Sequence, residues 1–279
     1  MSPKERGFIL DSAPSSDSIP ASRGSLSVTF AVWHALFLRE AVARLSATRG
    51  AWVLIVLEPV LHTGFMLLVF TALRAHSMIN ADTAVWLVLG LSSYFTVQNV
   101  FQRAMGAIDA NRALFAYRQV RPIDTVIVRA SLEALLGLII LVFLLLILGY
   151  MGHPIIPDEL LEACAAFTGL ILCGLGIGLI ISVSSHLIPE TGSLMNFLFR
   201  PLYFISGAVM PLSIIPIKYR EWAFWNPFAH GIELLRKSYF PVYHAAPEAN
   251  FEYLYTFAVV SIFLGLVLQL RFARQLRSQ

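Results

Sequence analysis

Charged residues are scarce in this chain: Asp, Glu, Lys and Arg make up only 13% of 279 residues, against 57% hydrophobic ones. With a mean hydropathy of +0.72, there is too little polar surface to cover a soluble globule, which leaves a polytopic membrane protein. Cysteine is nearly absent. Cys164 and Cys173 fall on one expected helix about 13 Å apart by helical rise, too far to bridge, and read as packing residues. No Gly-Lys pair occurs, so the phosphate-binding P-loop is missing and the chain is not itself an ATPase of that type. A His-Glu-x-x-His helix and a Gly-x-Ser-x-Gly nucleophile elbow are missing too. His62 faces either a channel or a neighbouring helix, and with no carboxylate at ligand spacing no metal is expected. Gly174, Gly176 and Gly178 lie inside an apolar run with no strand before them. They read as close helix packing rather than a nucleotide fingerprint.

What the sequence has in abundance is long apolar runs. Windows of about 20 apolar residues place six spans, at 51–73, 84–105, 130–150, 160–182, 194–210 and 253–270, so the fold class is an all-α polytopic membrane protein. Arg103, Arg112, Arg118, Arg121 and Arg129 sit in or beside the loop after the second span, and Arg271, Arg274 and Arg277 follow the last. The opposite connections are poorer in bases. The positive-inside rule then puts both termini in the cytoplasm. The exception is the external segment 211–252, which carries Lys218, Arg220, Arg236 and Lys237. Trp222, Trp225, Phe228 and Tyr239 give this segment interface-preferring aromatics, and Pro216 and Pro227 divide it into short re-entrant or surface helices capping the external mouth.

Residues 1–25 are rich in Ser and Pro and lack an apolar core, which predicts a disordered cytoplasmic tail. The transporter domain would then occupy 26–279. Within 26–48, Phe30, Trp33, Phe37 and Ala41 recur at helical spacing, while Arg39, Arg44 and Arg49 can reach anionic headgroups. This predicts an amphipathic interface helix, with a plain juxtamembrane linker as the alternative. In the loop after the second span, 109–119 predicts a short helix anchored by Leu114, Phe115 and Tyr117 and ended by Val120-Arg121-Pro122. Such a helix either docks in another protein's groove or lies on the headgroups.

Two charge-proline pairs interrupt apolar runs: Glu58-Pro59 in the first span and Arg200-Pro201 in the fifth. A charge in hydrocarbon costs several kcal/mol on insertion scales, so neither segment faces lipid on that side. Each charge lies roughly 10 Å deep at 1.5 Å per residue, if both spans start at the cytoplasmic face. Matched depth makes Glu58 and Arg200 partners, within or across subunits; the rival is Arg200 on a phosphate with Glu58 hydrated.

Three stretches carry a family resemblance: Arg49-Gly50-Ala51-Trp52 running to Glu58-Pro59; Arg112-Ala113-Leu114-Phe115-Ala116-Tyr117-Arg118-Gln119-Val120-Arg121-Pro122-Ile123-Asp124 with Arg129 and Glu133; and Arg200-Pro201-Leu202-Tyr203 through Gly207 to Pro211, with Asn226-Pro227 following. From about residue 26 to its end, the chain resembles the KpsM-type permeases of capsular polysaccharide ABC exporters, within the type-2 ABC permease family. The resemblance implies a homodimer of six-helix subunits in the bacterial inner membrane, working with two copies of a separate ATPase that binds ATP and Mg. The permease itself has no cofactor. It also implies export of a lipid-linked polysaccharide, relayed by periplasmic and outer-membrane proteins, with membrane lipids but no nucleic acid as further partners. The first and fifth helices would line the path, supplying Trp52, Glu58, Phe65, Phe70, Phe199, Arg200, Tyr203 and Phe204. The coupling region would supply Leu114, Phe115, Tyr117, Arg118 and Arg121. Permeases for O-antigen, teichoic acid or a small drug remain open on these residues. A membrane-embedded transferase would need Glu58, Glu133 and Glu190 to converge, although they lie on separate segments and Glu133 has Arg129 one turn earlier as a local partner. A secondary transporter would need an internal repeat that the sequence does not display.

Overall fold

The computed structural model describes residues 25–46, 50–72, 81–117 and 119–278. The expected tail, Arg49, Leu73 and Arg118 lie outside the described residues. The elements, in chain order, are α1 (Ser25–Leu45), α2 (Ala51–Ala72), α3 (Thr83–Met105), α4 (Ala107–Ala110), a 3-10 turn (Arg112–Ala116), α5 (Pro122–Tyr150), α6 (Leu160–Leu187), α7 (Glu190–Ile205), a second 3-10 turn (Leu212–Ile214), α8 (Ile217–Ala223), α9 (Pro227–Tyr239), α10 (Phe251–Arg271) and α11 (Gln275–Ser278). No strand occurs among the described residues.

All six expected spans coincide with helices, although several ends differ, two of them for clear local reasons. Helix α5 begins at Pro122, eight residues before expectation. Proline suits the first helical position, and Asp124 accepts the Arg121 backbone N–H at 2.9 Å, so capping precedes the apolar run. Helix α7 stops at Ile205 rather than Met210 because the chain turns at Gly207, whose φ of +76° disfavours a side chain. Its 16 residues cover about 24 Å. Among the described residues, six helices are long and apolar enough to cross a membrane, and these include Leu26–Leu45 of α1 but not α7.

Burial ranks the helices. In α3, 83% of the apolar window is buried, against 11% in α1 and in α2, so α3 is the post around which α5, α6, α7 and α9 pack. In lipid the gain comes from close van der Waals fit rather than from water exclusion, which favours small residues at helix contacts. The glycine cluster of α6 serves this purpose: a Cβ on Gly174 would press on Val97 of α3, on Gly178 would meet Ala104 of α3, and on Gly176 would strike Ser261 of α10. Cys173 is buried and Cys164 exposed, both unbridged.

Helix α1 runs parallel to the start of α5 and is bolted to it. The Trp33 indole donates to Asp124 at 2.8 Å, Arg129 pairs with Glu40 at 2.6 Å, and Arg44 pairs with Glu133 at 3.0 Å. Glu133 also holds Arg103 of α3 at 3.2 Å. The local Arg129–Glu133 pair is therefore replaced by long-range ones. Arg44 is taken up by a carboxylate rather than left for headgroups, and Arg39 donates to Asn111. The outward side of α1 carries Leu26, Phe30, Leu38 and Val42.

The segment after α7 folds as expected into short pieces. Asn226 caps α9, its side chain accepting the Phe228 N–H at 3.0 Å, and Pro227 opens the helix. Trp222 and Trp225 are exposed, but Phe228 is core, and α9 is inserted among α3, α6 and α10.

Candidate functional site

The α2 and α7 helices both lean on α3 and touch each other at one crossing, His62 against Tyr203. His62 Nε2 and the Tyr203 hydroxyl are 2.9 Å apart. Phe95 of α3 stacks on Tyr203 at 5.8 Å between ring centres and meets His62 edge-on at 5.0 Å, while Tyr203 contacts Tyr94 at 5.4 Å and Phe204 at 5.0 Å. His62 therefore faces a neighbouring helix. No cluster of metal-binding side chains occurs among the described residues.

Glu58 lies one turn before His62 and Arg200 about one turn before Tyr203, roughly 6 Å and 4.5 Å back along their helices. If both helices start at the same face of the membrane, the hydrogen bond at the crossing puts the two charges at similar depth. Both are exposed, and no ion pair joins them within the subunit among the described residues. The same open side of α2 presents Leu54, Leu61, Phe65 and Leu68. Trp52 and Phe204 are exposed as well, and Phe70 is half-buried against the core. Phe199 stands apart from this surface. Its ring is buried flat on Phe101 at 4.2 Å and tilted against Phe228, while its carbonyl accepts the Tyr94 hydroxyl. Packing has claimed it. Glu58, Glu133 and Glu190 sit on α2, α5 and α7, with no carboxylate cluster of the kind a transferase would use.

The C-terminal end of α7 is fixed by a residue the sequence reading counted only as a loop charge. Arg236 of α9 is fully buried, with its guanidinium over the Trp86 indole at 3.3 Å. It donates to the carbonyls of Gly207 at 2.6 Å, Ala208 at 3.0 Å and Trp86 at 3.3 Å. Glu233 lies 3.7 Å away and accepts from the Tyr243 hydroxyl at 2.9 Å. Gly90 leaves the space for this cation, because a Cβ there would collide with the guanidinium and the Ala208 carbonyl. Arg236 thus ties the turn after α7 to α3 and α9. The spacing Glu233, Arg236 on a short helix was the available signal, but i,i+3 pairs are common on exposed helices.

The segment expected to couple, 109–119, is broken rather than a single helix. Asn111 ends α4, its amide donating to the Ala107 carbonyl at 2.8 Å, and the 3-10 turn stops at Ala116. Asp109 reaches His186 at the end of α6 at 2.7 Å. Leu114 and Phe115 are half-buried, Phe115 packing on the cluster around Ile108, Val126 and Leu276. Tyr117 is the protruding anchor, 66% exposed, and Arg121 is exposed beside it. Arg118 lies outside the described residues.

This arrangement is that of a helical, multi-pass transport subunit: a rigid post, a loosely packed helix pair, and a small protruding element at one end. The chain belongs to the ABC-2 type transporter family, whose model matches residues 25–240. It is 35% identical to the polysialic acid transport protein KpsM of Escherichia coli over 88% of this chain and 95% of that one. It is 27% identical to the capsule polysaccharide export inner-membrane protein CtrC of Neisseria meningitidis serogroup A, covering 91% and 96% of the two chains. A match of 26% links it to the capsule polysaccharide export inner-membrane protein BexB of Haemophilus influenzae, over 91% and 96%.

Proposed function

We propose that the chain is the inner-membrane permease of a capsular polysaccharide exporter, working as a homodimer with two copies of a separate ATPase that binds ATP and Mg. The near full-length match to KpsM carries this reading. The open faces of α2 and α7 support it physically: exposed Phe65 and Phe204, on the helix faces that carry Glu58 and Arg200, are rings on which sugars can stack and slide, with exposed Trp52 at the start of α2. A lipid-linked glycan is the substrate, handed on to periplasmic and outer-membrane proteins. Helix α1 lies in the cytoplasmic interface, because its ion pairs with the first turns of α5 hold Glu40 and Arg44 at the depth where charge is tolerated.

Tyr117, Leu114 and Arg121 form the ATPase-facing element. An exposed aromatic on a short turn is poorly placed in water and well placed in a partner's groove. A tagged chain purified from its own cells in mild detergent is expected to carry an ATPase subunit in equal amount. Tyr117→Ala, inserted normally, is expected to lose about tenfold or more of that association or of export-coupled hydrolysis, since an interface aromatic anchor carries ~2 kcal/mol or more. Recovery of the chain without an ATPase would overturn the function; an unaffected Tyr117→Ala would overturn the role of this element.

The termini and the coupling element lie in the cytoplasm and the α8–α9 segment outside. Ser213 and Ala113 are both exposed, so single cysteines there, in a background lacking Cys164 and Cys173, test the topology. An impermeant thiol reagent on intact spheroplasts should label position 213 and spare 113. Equal labelling sinks this orientation.

A further inference from the structure

On the side of α7 away from Arg200, a groove of about 820 Å³ runs between α7 and α10 over α6. Its walls are apolar, with Ile181 of α6, Leu198 and Leu202 of α7, and Phe257, Val260 and Leu264 of α10. From Tyr253 to Leu264 along α10 is about 16 Å, half of a ~30 Å hydrocarbon core and so the depth of one leaflet. Trp222, Trp225 and Tyr253 frame its mouth, the Tyr253 hydroxyl donating to the Trp225 carbonyl at 2.8 Å.

Two polar features at the mouth distinguish this groove from plain lipid-facing surface. Asn226 lines it and is only 8% exposed. Its Oδ1 is used on the Phe228 N–H, but its Nδ2 has no hydrogen-bond partner among the described residues. A buried amide donor left unmade is costly, so an acceptor is missing from the subunit. Lys218 lies one turn before Trp222 on α8 and is exposed, touching only the Tyr219 ring among the described residues, whereas neighbouring Arg220 is taken by Glu248. An apolar trough one leaflet deep, an orphan donor in its lining and, one helical turn from Trp222 at its mouth, a cation with no ion pair among the described residues match one chemistry: a hydrocarbon tail, an ester or phosphate oxygen, and a negative headgroup.

We propose that this groove binds an anionic glycerophospholipid of the leaflet on the α8 side, with one acyl chain between α7 and α10, an oxygen on Asn226 Nδ2 and the phosphate at Lys218. The site rests on the chain's membrane placement and not on what it exports. A lipid seated there backs the helix that carries Arg200 and Tyr203, so its departure would let α7 shift toward α10.

The full-length chain in phosphatidylcholine vesicles, with trace spin-labelled phosphatidylglycerol or phosphatidylcholine, tests this. A motionally restricted component should favour phosphatidylglycerol by about fivefold, the effect of one cation near the membrane surface. Lys218→Gln should abolish that preference. Asn226→Asp keeps the acceptor that caps α9 and exchanges the donor for a charged carboxylate oxygen, so loss of the donor should lower the restricted fraction of neutral-headgroup phosphatidylcholine as well as that of phosphatidylglycerol in a folded protein. Val260→Trp fills the trough from a half-exposed position and should remove the component for both lipids. A native preference unchanged in all three variants overturns the site. So does efficient cross-linking of a cysteine at position 260 to a second copy, which would mean that protein rather than lipid fills the groove.

Discussion

Replacing Arg236 with methionine is expected to destabilise the protein by about 3–5 kcal/mol, the cost of breaking a buried ion pair from one side. The substitution leaves Glu233 uncompensated and strips donors from the Gly207, Ala208 and Trp86 carbonyls. Lysine is expected to rescue only in part, because a point charge cannot serve three carbonyls while lying flat on an indole. Gly90→Ala should resemble Arg236→Met, since the added methyl occupies the guanidinium's place. Thermal unfolding in detergent reads all three. A loss under about 1 kcal/mol for Arg236→Met would show that the turn after α7 is held by something else.

Charge reversal on α2 and α7 is expected to have the largest effect on transport. Glu58→Arg and Arg200→Glu should each lower export about tenfold at normal insertion levels, with the double reversal recovering most of it, the size of coupling that contacting charges display. Within one subunit no ion pair joins the two among the described residues, and both are exposed, so the pairing in question is between copies. If the double variant exports no better than either single one, Arg200 acts on a phosphate instead.

Hydropathy was enough to find five of the helices long and apolar enough to cross a membrane, because a run of some 20 apolar residues has few alternatives in a bilayer; the sixth such helix is α1, while the fifth expected span, α7, is too short to qualify. The glycines of α6 were also readable as packing residues, since small side chains at helix spacing have one principal use in lipid. The helix ends were less legible. The end of α7 depends on Gly207 and the start of α5 on the Arg121–Asp124 cap, both local features that an apolar window averages away.

The partners of individual charges were not legible at all. Arg129 and Glu133 are one turn apart in sequence, yet each turns to α1, Arg129 to Glu40 and Glu133 to Arg44. Arg236 looked like an external base that weakened the charge asymmetry, and it is instead the most enclosed cation of the subunit. Phe199 looked like a path ring and stacks inside on Phe101. By itself the sequence determined the class, most of the spans and the separation of an arginine-rich loop from an apolar body, because those follow from composition and period along one chain. Only the tertiary structure decided which faces of α2 and α7 stay open, which charges are spent inside the subunit, and where an amide is left without a partner. Those depend on distances between helices far apart in sequence, which no periodicity encodes.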